Sequence, residues 1–235
     1  MKAIQLIIQG DWGHFKRPET NNNPLTHDFI TKTALIGLIG AVLGIEREDM
    51  KQLFPILSSN LLYGVQLLNP VKKFSWGFSS RTAFEPVKKG SPKYFEFLKD
   101  PKFKVTIALK EEESKDIFQK FSQAVINSES VYTAVLGWHN CPAAIYFNDK
   151  GYFSEILNGD FETFSFVEKP PIHKPILTKV GFRIGFDKIP TFQNDDFWNL
   201  PEYYKEVIYP ASGYLLKVNG NYYQFSEDKS QWWLI

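Results

Sequence analysis

Residues 3–9 (AIQLIIQ) and 102–109 (KFKVTIAL) alternate apolar and polar side chains, the period of a half-buried strand. Ile4, Leu6 and Ile8 share one face of the first, with Gln5 and Gln9 on the other. Phe103, Val105, Ile107 and Leu109 share one face of the second. Each strand precedes a segment of helical character. Residues 31–44 (TKTALIGLIGAVLG) read as a helix that Thr31 or Thr33 can cap and that Gly44 can close in the left-handed conformation. This helix is apolar nearly all round, which predicts burial on more than one side. Gly37 and Gly40 each cost about 1 kcal/mol relative to alanine, and close approach of another backbone is the expected compensation. Residues 111–127 read as an amphipathic helix. Ile117, Phe121, Ala124 and Val125 form its stripe, and Glu111, Glu112 and Glu113 sit at its positive end. Residues 61–68 (LLYGVQLL) and 143–147 (AAIYF) supply two further strands, the last closed by a turn at Asn148-Asp149-Lys150-Gly151.

The order is strand, helix, strand, strand, helix, strand. That is an α+β, ferredoxin-like βαββαβ unit, the fold of RNA-recognition domains. Its middle β–β connection, residues 69–101, is about 30 residues long, far beyond an ordinary hairpin loop, and shows no clear period. Long ordered insertions of this kind are often functional. Beyond residue 150 the chain reads as β-rich. Residues 176–186 and 214–218 are strand candidates, and Asn219-Gly220 reads as a hairpin turn before Tyr222–Phe225. The expected organisation is a core domain over 1–149 and a smaller β region over 150–235.

The charge of this 235-residue chain sums to only +1 but is unevenly distributed. Between Asn69 and Lys104, nine basic residues face Glu85, Glu96 and Asp100, a net of +6; from Val105 onward the net is −5. The basic segment also carries Phe74, Trp76, Phe78 and Phe84. Cations neutralise phosphates and rings stack on unpaired bases, a combination suited to single-stranded nucleic acid. The bland alternative is a solvated loop whose rings close a small local core. One cysteine, Cys141, excludes an intrachain disulfide and points to a reducing compartment. Met1 runs directly into the first strand, and the apolar stretch Ala34–Leu43 is too short to span a bilayer, so a cytoplasmic location is expected. Neither GxxxxGK[ST] nor a GxGxxG after a strand is present. His139 and Cys141 lack the further ligands of a metal site, so no cofactor or metal is expected.

Three segments resemble one family. They are Gly10-Asp11-Trp12-Gly13-His14-Phe15-Lys16-Arg17 with the glycine-bearing helix after it, EFLKDPKFKV (Glu96–Val105), and LGWHNCPAAI (Leu136–Ile145). In this order and spacing they resemble CRISPR-associated protein family five, of the RAMP superfamily. The resemblance implies a ferredoxin-like domain with an extended β-hairpin thumb, here about 69–101, and a variable C-terminal part. It implies a non-catalytic subunit of a type I Cascade complex that binds and caps the 5′ handle of the crRNA in antiviral defence. The implied partners are the family-seven backbone subunit and the family-eight large subunit, with target DNA reached indirectly near the protospacer-adjacent motif. Subtype I-B is favoured by overall similarity.

On that basis the candidate RNA-binding residues are His14, Lys16, Arg17, Thr31, Lys32, Lys72, Lys73, Trp76, Phe78, Arg81, Lys88 and Lys89. Lys16 and Arg17 can hold a handle phosphate or form a solvated pair. His14 can stack on a base or pack against Trp12. Thr31, Lys32 and Thr33 lie where free helix N–H groups suit a phosphate, although plain capping satisfies them too. Arg81 can fork a phosphate or stack on a base. Trp76, Phe78 and Phe84 can wedge between nucleotides or pack on one another. One branch of the family, in type I-C systems, cuts precursor crRNA without metal, using a Tyr and an adjacent Lys and His. Here His173-Lys174 has the reverse order and Trp138 precedes His139. The expectation is therefore no catalysis, with a metal-independent endoribonuclease as the alternative.

Overall fold

The computed structural model describes residues 1–80, 90–169, 174–176, 183–193 and 201–235. The chain begins with β1 (Lys2–Gln9), β2 (Trp12–Gly13), α1 (Lys32–Leu43), α2 (Arg47–Asn60) and β3 (Leu61–Leu67). The hairpin strands β4 (Lys73–Ser80) and β5 (Ser91–Lys99) come next, then β6 (Lys102–Leu109), a 3-10 turn (Glu112–Ser114) and α3 (Lys115–Ile126). The rest is strand: β7 (Ala144–Thr163), β8 (Val167–Glu168), β9 (Lys174–Ile176), β10 (Ile184–Phe192), β11 (Tyr203–Pro210), β12 (Leu216–Phe225) and β13 (Gln231–Trp232).

The central sheet has the order β7-β1-β6-β3, all antiparallel, which is the ferredoxin-like arrangement. The alternation in β1 and β6 aligns Ile4 with Ile107, Leu6 with Val105 and Ile8 with Phe103, so one face of the sheet becomes a continuous apolar layer. Each such side chain contributes roughly 1.5–3 kcal/mol when fully buried. The opposite face is covered as well. There Ala3 and Ala108 pack with Phe153, Phe225, Trp232 and Leu234, and Gln5 and Thr106 are fully buried. The half-exposed strand expected of residues 3–9 is thus buried on both sides, because the C-terminal residues return over it.

Helix α1 has the expected caps. Thr31 Oγ1 accepts the N–H of Ala34 at 3.3 Å, and Gly44 closes the helix at φ 69°. It packs against α2, α3 and β10, which explains its apolar circumference. Gly40 admits the Met50 side chain of α2, whereas Gly37 faces open space, so neither glycine serves a backbone approach. Helix α2 has Pro55 inside it and leaves little periodic signal in the sequence. Burial of Met50, Phe54 and Leu57 holds it despite an interior-proline cost of about 3 kcal/mol.

Two expected turns are not turns. Asn148 is an extra residue in β7, where the register with β1 shifts between Gln5 and Leu6. Asn219-Gly220 lies inside β12, beside a register shift against β7. In both places long partner strands carry the chain through, and the turn-forming residues are absorbed as irregularities in the ladder. Strand β7 therefore runs 20 residues, and the division expected at 149/150 falls within it. On its far side it pairs β12, which extends the central sheet through β13. A separate three-stranded sheet, β10-β11-β8, packs Ile189, Val207 and Ile208 into the main core. Among the described residues, no helix is long and apolar enough to cross a membrane.

Candidate nucleic-acid interface

The long middle connection is a hairpin. Its arms β4 and β5 pair from Lys73↔Leu98 to Ser80↔Ser91, and β2 adds a short third strand through Trp12↔Lys99 and Gly13↔Leu98. The segment 81–89 between the arms, with Arg81, Phe84, Lys88 and Lys89, lies outside the described residues.

The two-residue strand period sorts the hairpin into two unlike faces. One face is aromatic. Phe74, Trp76 and Phe78 on β4 stand opposite Phe97, Phe95 and Lys93 on β5. Trp12 joins them edge-on, 5.0 Å from Trp76 and 6.2 Å from Phe74. Trp138, from the turn before β7, stacks on both Phe95 (5.0 Å, 10°) and Phe97 (5.3 Å, 20°). Phe97 is buried at the base, but Phe74, Trp76 and Phe78 remain 50%, 46% and 39% exposed. The rings therefore both pack on one another and present open surface. The two alternatives for Trp76 and Phe78 coexist.

His14 belongs to the packed layer. Its ring lies 5.4 Å from Phe97 and 5.9 Å from Trp138, it is 6% exposed, and Nδ1 lies 2.7 Å from the Glu96 carbonyl. Burial, the largest influence, pulls its pKa below the usual histidine value, so the ring is neutral at pH 7 and Nδ1 carries the proton donated to that carbonyl. Its partners are thus chiefly Phe97, Phe95 and Trp138. The neighbouring turn needs Gly137: φ is 82°, and a Cβ there would stand 2.2 Å from the His14 carbonyl oxygen.

The other face of the hairpin is fastened to the body by charge. Lys73 Nζ lies 2.7 Å from Asp28, 3.2 Å from Glu96 and 3.0 Å from the Thr26 carbonyl. Tyr209 of β11 donates a hydrogen bond to the same Asp28. Arg17 pairs with buried Asp187 of β10 at 2.8 Å and donates through Nε to the Thr26 carbonyl, while His27 Nδ1 lies 3.0 Å from Asp187. Burial alone would raise the Asp187 pKa, but His27, which hydrogen-bonds it, and the charge of Arg17 outweigh burial and hold it below the usual value. The charges of Arg17 and Lys73 are therefore already compensated within the protein. Lys16 and Lys72 are exposed, and among the described residues Lys16 has only a 3.3 Å contact to Asn21 and Lys72 no ion pair, which leaves both cations open to a ligand.

Between the aromatic face and the start of α1 lies an open cavity of about 610 Å³. His14, Lys16, Thr31, Thr33, Phe95 and Trp138 line it, so ring faces, the Lys16 cation and the capped helix N-terminus converge. Thr31 thus both caps and faces the cavity. Lys32 does not share it; this lysine lines a different cavity. The exposed His139 touches the ring of Trp138 edge-on, while burial pushes the Cys141 thiol up to about 11, so the sulfur stays protonated at neutral pH. Among the described residues, no group of three or more His, Cys, Asp or Glu side chains could hold a metal. His173 lies outside the described residues.

Phe95, Phe97, Asp28 and Asp187 were not among the residues singled out from the sequence. The signal for the first two is present in β5, where KYFEFLK alternates, but it is short and lies among lysines. No local pattern marks Asp28 or Asp187, whose partners are distant in sequence.

Residues 3–162 match the family model described as CRISPR-associated protein (Cas_Cas5). No curated protein matches the chain. Among solved structures it is similar to a CRISPR protein from Archaeoglobus fulgidus, with a TM-score of 0.59, 14% identity and coverage of 98% of this chain and 97% of the other. It is also similar to a chain of a CRISPR RNA-guided surveillance complex, with a TM-score of 0.53, 12% identity and 89% and 90% coverage. A third similar chain comes from a Type III-B Cmr-beta complex bound to cognate target RNA and AMPPnP, with a TM-score of 0.54, 10% identity and 92% and 86% coverage. At these identities the structural likeness establishes the fold.

Proposed function

The chain belongs to the CRISPR-associated Cas5 family, and on that premise we propose that it is a non-catalytic, RNA-binding subunit of a type I Cascade complex. In this role it grips the 5′ handle of the crRNA between the aromatic hairpin face and the cavity at the start of α1. The family-seven backbone subunit and the family-eight large subunit are its neighbours, and target DNA passes nearby at the protospacer-adjacent motif. The observation that carries the proposal is the row Phe74, Trp76 and Phe78. Its rings pack edge-on or tilted against Trp12, Phe97 and Trp138 and are left open at the rim, beside a cavity lined by Lys16 and Thr31. Unpaired bases stack on such rings, each worth about 1–3 kcal/mol, while phosphates settle on the cation and the helix start.

The reading as a structural subunit is supported by the chemistry of the site. His14 is a buried neutral ring fixed by a carbonyl, and the Cys141 thiol stays protonated. The test is equilibrium binding of repeat-derived handle RNA against a scrambled RNA of equal length, alongside incubation of labelled precursor RNA in EDTA. Preferential, salt-dependent binding without cleavage is expected. A discrete cut within the repeat would overturn the non-catalytic assignment, and equal binding of both RNAs would overturn handle recognition.

A further inference from the structure

Thr31 and Thr33 face the aromatic cavity, but Lys32, between them in sequence, lines a second cavity of about 380 Å³. Ser58 of α2, Thr191 and Phe192 of β10, Tyr203 and Lys205 of β11, and the stretch 233–235 line it too, and no side chain among these described residues is acidic. Lys32 is only 5% exposed. Among the described residues, the charge acting on its ammonium is the like charge of Lys110, and burial first and Lys110 second lower its pKa to about 7. Ser58 Oγ is also buried and has no hydrogen-bond partner among the described residues. A cation with no opposite charge acting on it and a hydroxyl without a partner among the described residues, both withdrawn from water, are costly to keep in one place. Their common complement is an anion with several acceptor oxygens. Lys205 at the rim is paired with Glu168 at 2.7 Å, so its charge is compensated and Lys32 is the cation offered to a ligand.

We propose that this second cavity is a phosphoryl-binding site, separate from the aromatic interface, in which Lys32 and Ser58 hold a phosphate of a nucleotide while Phe192 and Tyr203 flank its base or sugar. The cavity has the volume of a small-ligand site. Lysine recognises phosphate as a point charge, and the serine hydroxyl donates beside it. The phosphate belongs either to a free mononucleotide or to an RNA strand. The site does not depend on handle recognition, because among the described residues it shares no lining residue with the aromatic cavity.

The test compares the wild-type chain with Lys32→Met, which keeps the volume of the stem and removes the charge. In phosphate-free buffer the variant is expected to unfold at the same temperature as wild type or higher, since an uncompensated buried cation is gone. Inorganic phosphate and adenosine 5′-monophosphate are expected to raise the wild-type midpoint and to leave Lys32→Met unmoved, with affinity falling about tenfold or more by titration calorimetry. If only a short oligoribonucleotide shows this difference, the phosphate is that of RNA; if the mononucleotide shows it, the ligand is a free nucleotide. A lower midpoint for Lys32→Met without phosphate would show that the ammonium is paired internally and would overturn the proposal, as would equal responses of both proteins. Should Lys32→Met not fold, Ser58→Ala carries the test, with a few-fold loss of phosphate affinity expected and no loss contradicting the site.

Discussion

The two faces of the β4–β5 hairpin are built from alternate residues of the same strands yet do opposite work. One face spends its charges on the protein: Lys73 reaches Asp28, Glu96 and the Thr26 carbonyl, and Arg17 and Asp187 brace the same loop. The other face carries rings that are stacked at the root on Trp138 and open at Phe74, Trp76 and Phe78, the surface proposed to meet a ligand. A projecting arm needs both, because an unanchored hairpin would lose ordering entropy on binding and an anchored one without open rings would offer nothing to bind. A lysine count along the segment therefore misleads. Lys72 and Lys73 are neighbours in sequence, but Lys73 is fastened to Asp28 and Glu96 while Lys72 is exposed and has no ion pair among the described residues.

This comparison can be broken in several places. The largest effect is expected at the root of the aromatic face, where Phe97→Ala removes a buried ring touched by Trp12, Trp76, Phe78, His14 and Trp138. A loss of about 3–5 kcal/mol of stability is expected by denaturant unfolding; a loss below 1 kcal/mol would mean that the rings do not form a packed base.

Next is the brace. Asp187→Asn leaves Arg17 and His27 without their buried partner and is expected to cost about 3 kcal/mol. The sign of the pH effect follows from the lowered pKa. Because the folded value lies below the usual 3.8, the stabilisation from Asp187 is complete above about pH 3.8 and disappears as pH falls through the folded value. Acid unfolding of wild type should therefore show a drop below that pH that the variant lacks.

A smaller effect is expected at the open rim. Trp76→Ala and Phe78→Ala are each predicted to weaken handle-RNA binding by about 1–3 kcal/mol while changing stability less than Phe97→Ala does. The smallest separates the two neighbouring lysines. Lys72→Ala should lower the magnitude of the salt-dependence slope of RNA binding by about one and leave unfolding unchanged. Lys73→Ala should instead cost stability, about 1 kcal/mol given its partial exposure, and leave the slope unchanged. Reversed outcomes would exchange the roles of the two faces.

The ferredoxin-like core was legible in the sequence because its signals are local and long: β1 and β6 alternate, α1 is capped by Thr31 and Gly44, and α3 carries its stripe. What stayed hidden depended on tertiary contacts. Helix α2 stands against its own Pro55, and β7 and β12 run through Asn148 and Asn219-Gly220 because each has a long neighbour to pair with. At the candidate interface, composition singled out the basic, ring-bearing segment, in which the structure leaves the Trp76 and Phe78 rings exposed. It could not show that Arg17 and Lys73 are matched by acids over 20 residues away in sequence, or that Lys32 turns away from Thr31 and Thr33 into another cavity.

The most direct measurement is ultraviolet cross-linking of the purified chain to handle RNA, with the linked residues read by mass spectrometry. Cross-links at Trp76, Phe78 and Trp138, and to the peptide carrying Lys16, are predicted, with loss of the rim cross-links when Phe74, Trp76 and Phe78 are all replaced by alanine. Cross-links confined to the β10-β11-β8 sheet, with none on the hairpin, would contradict it.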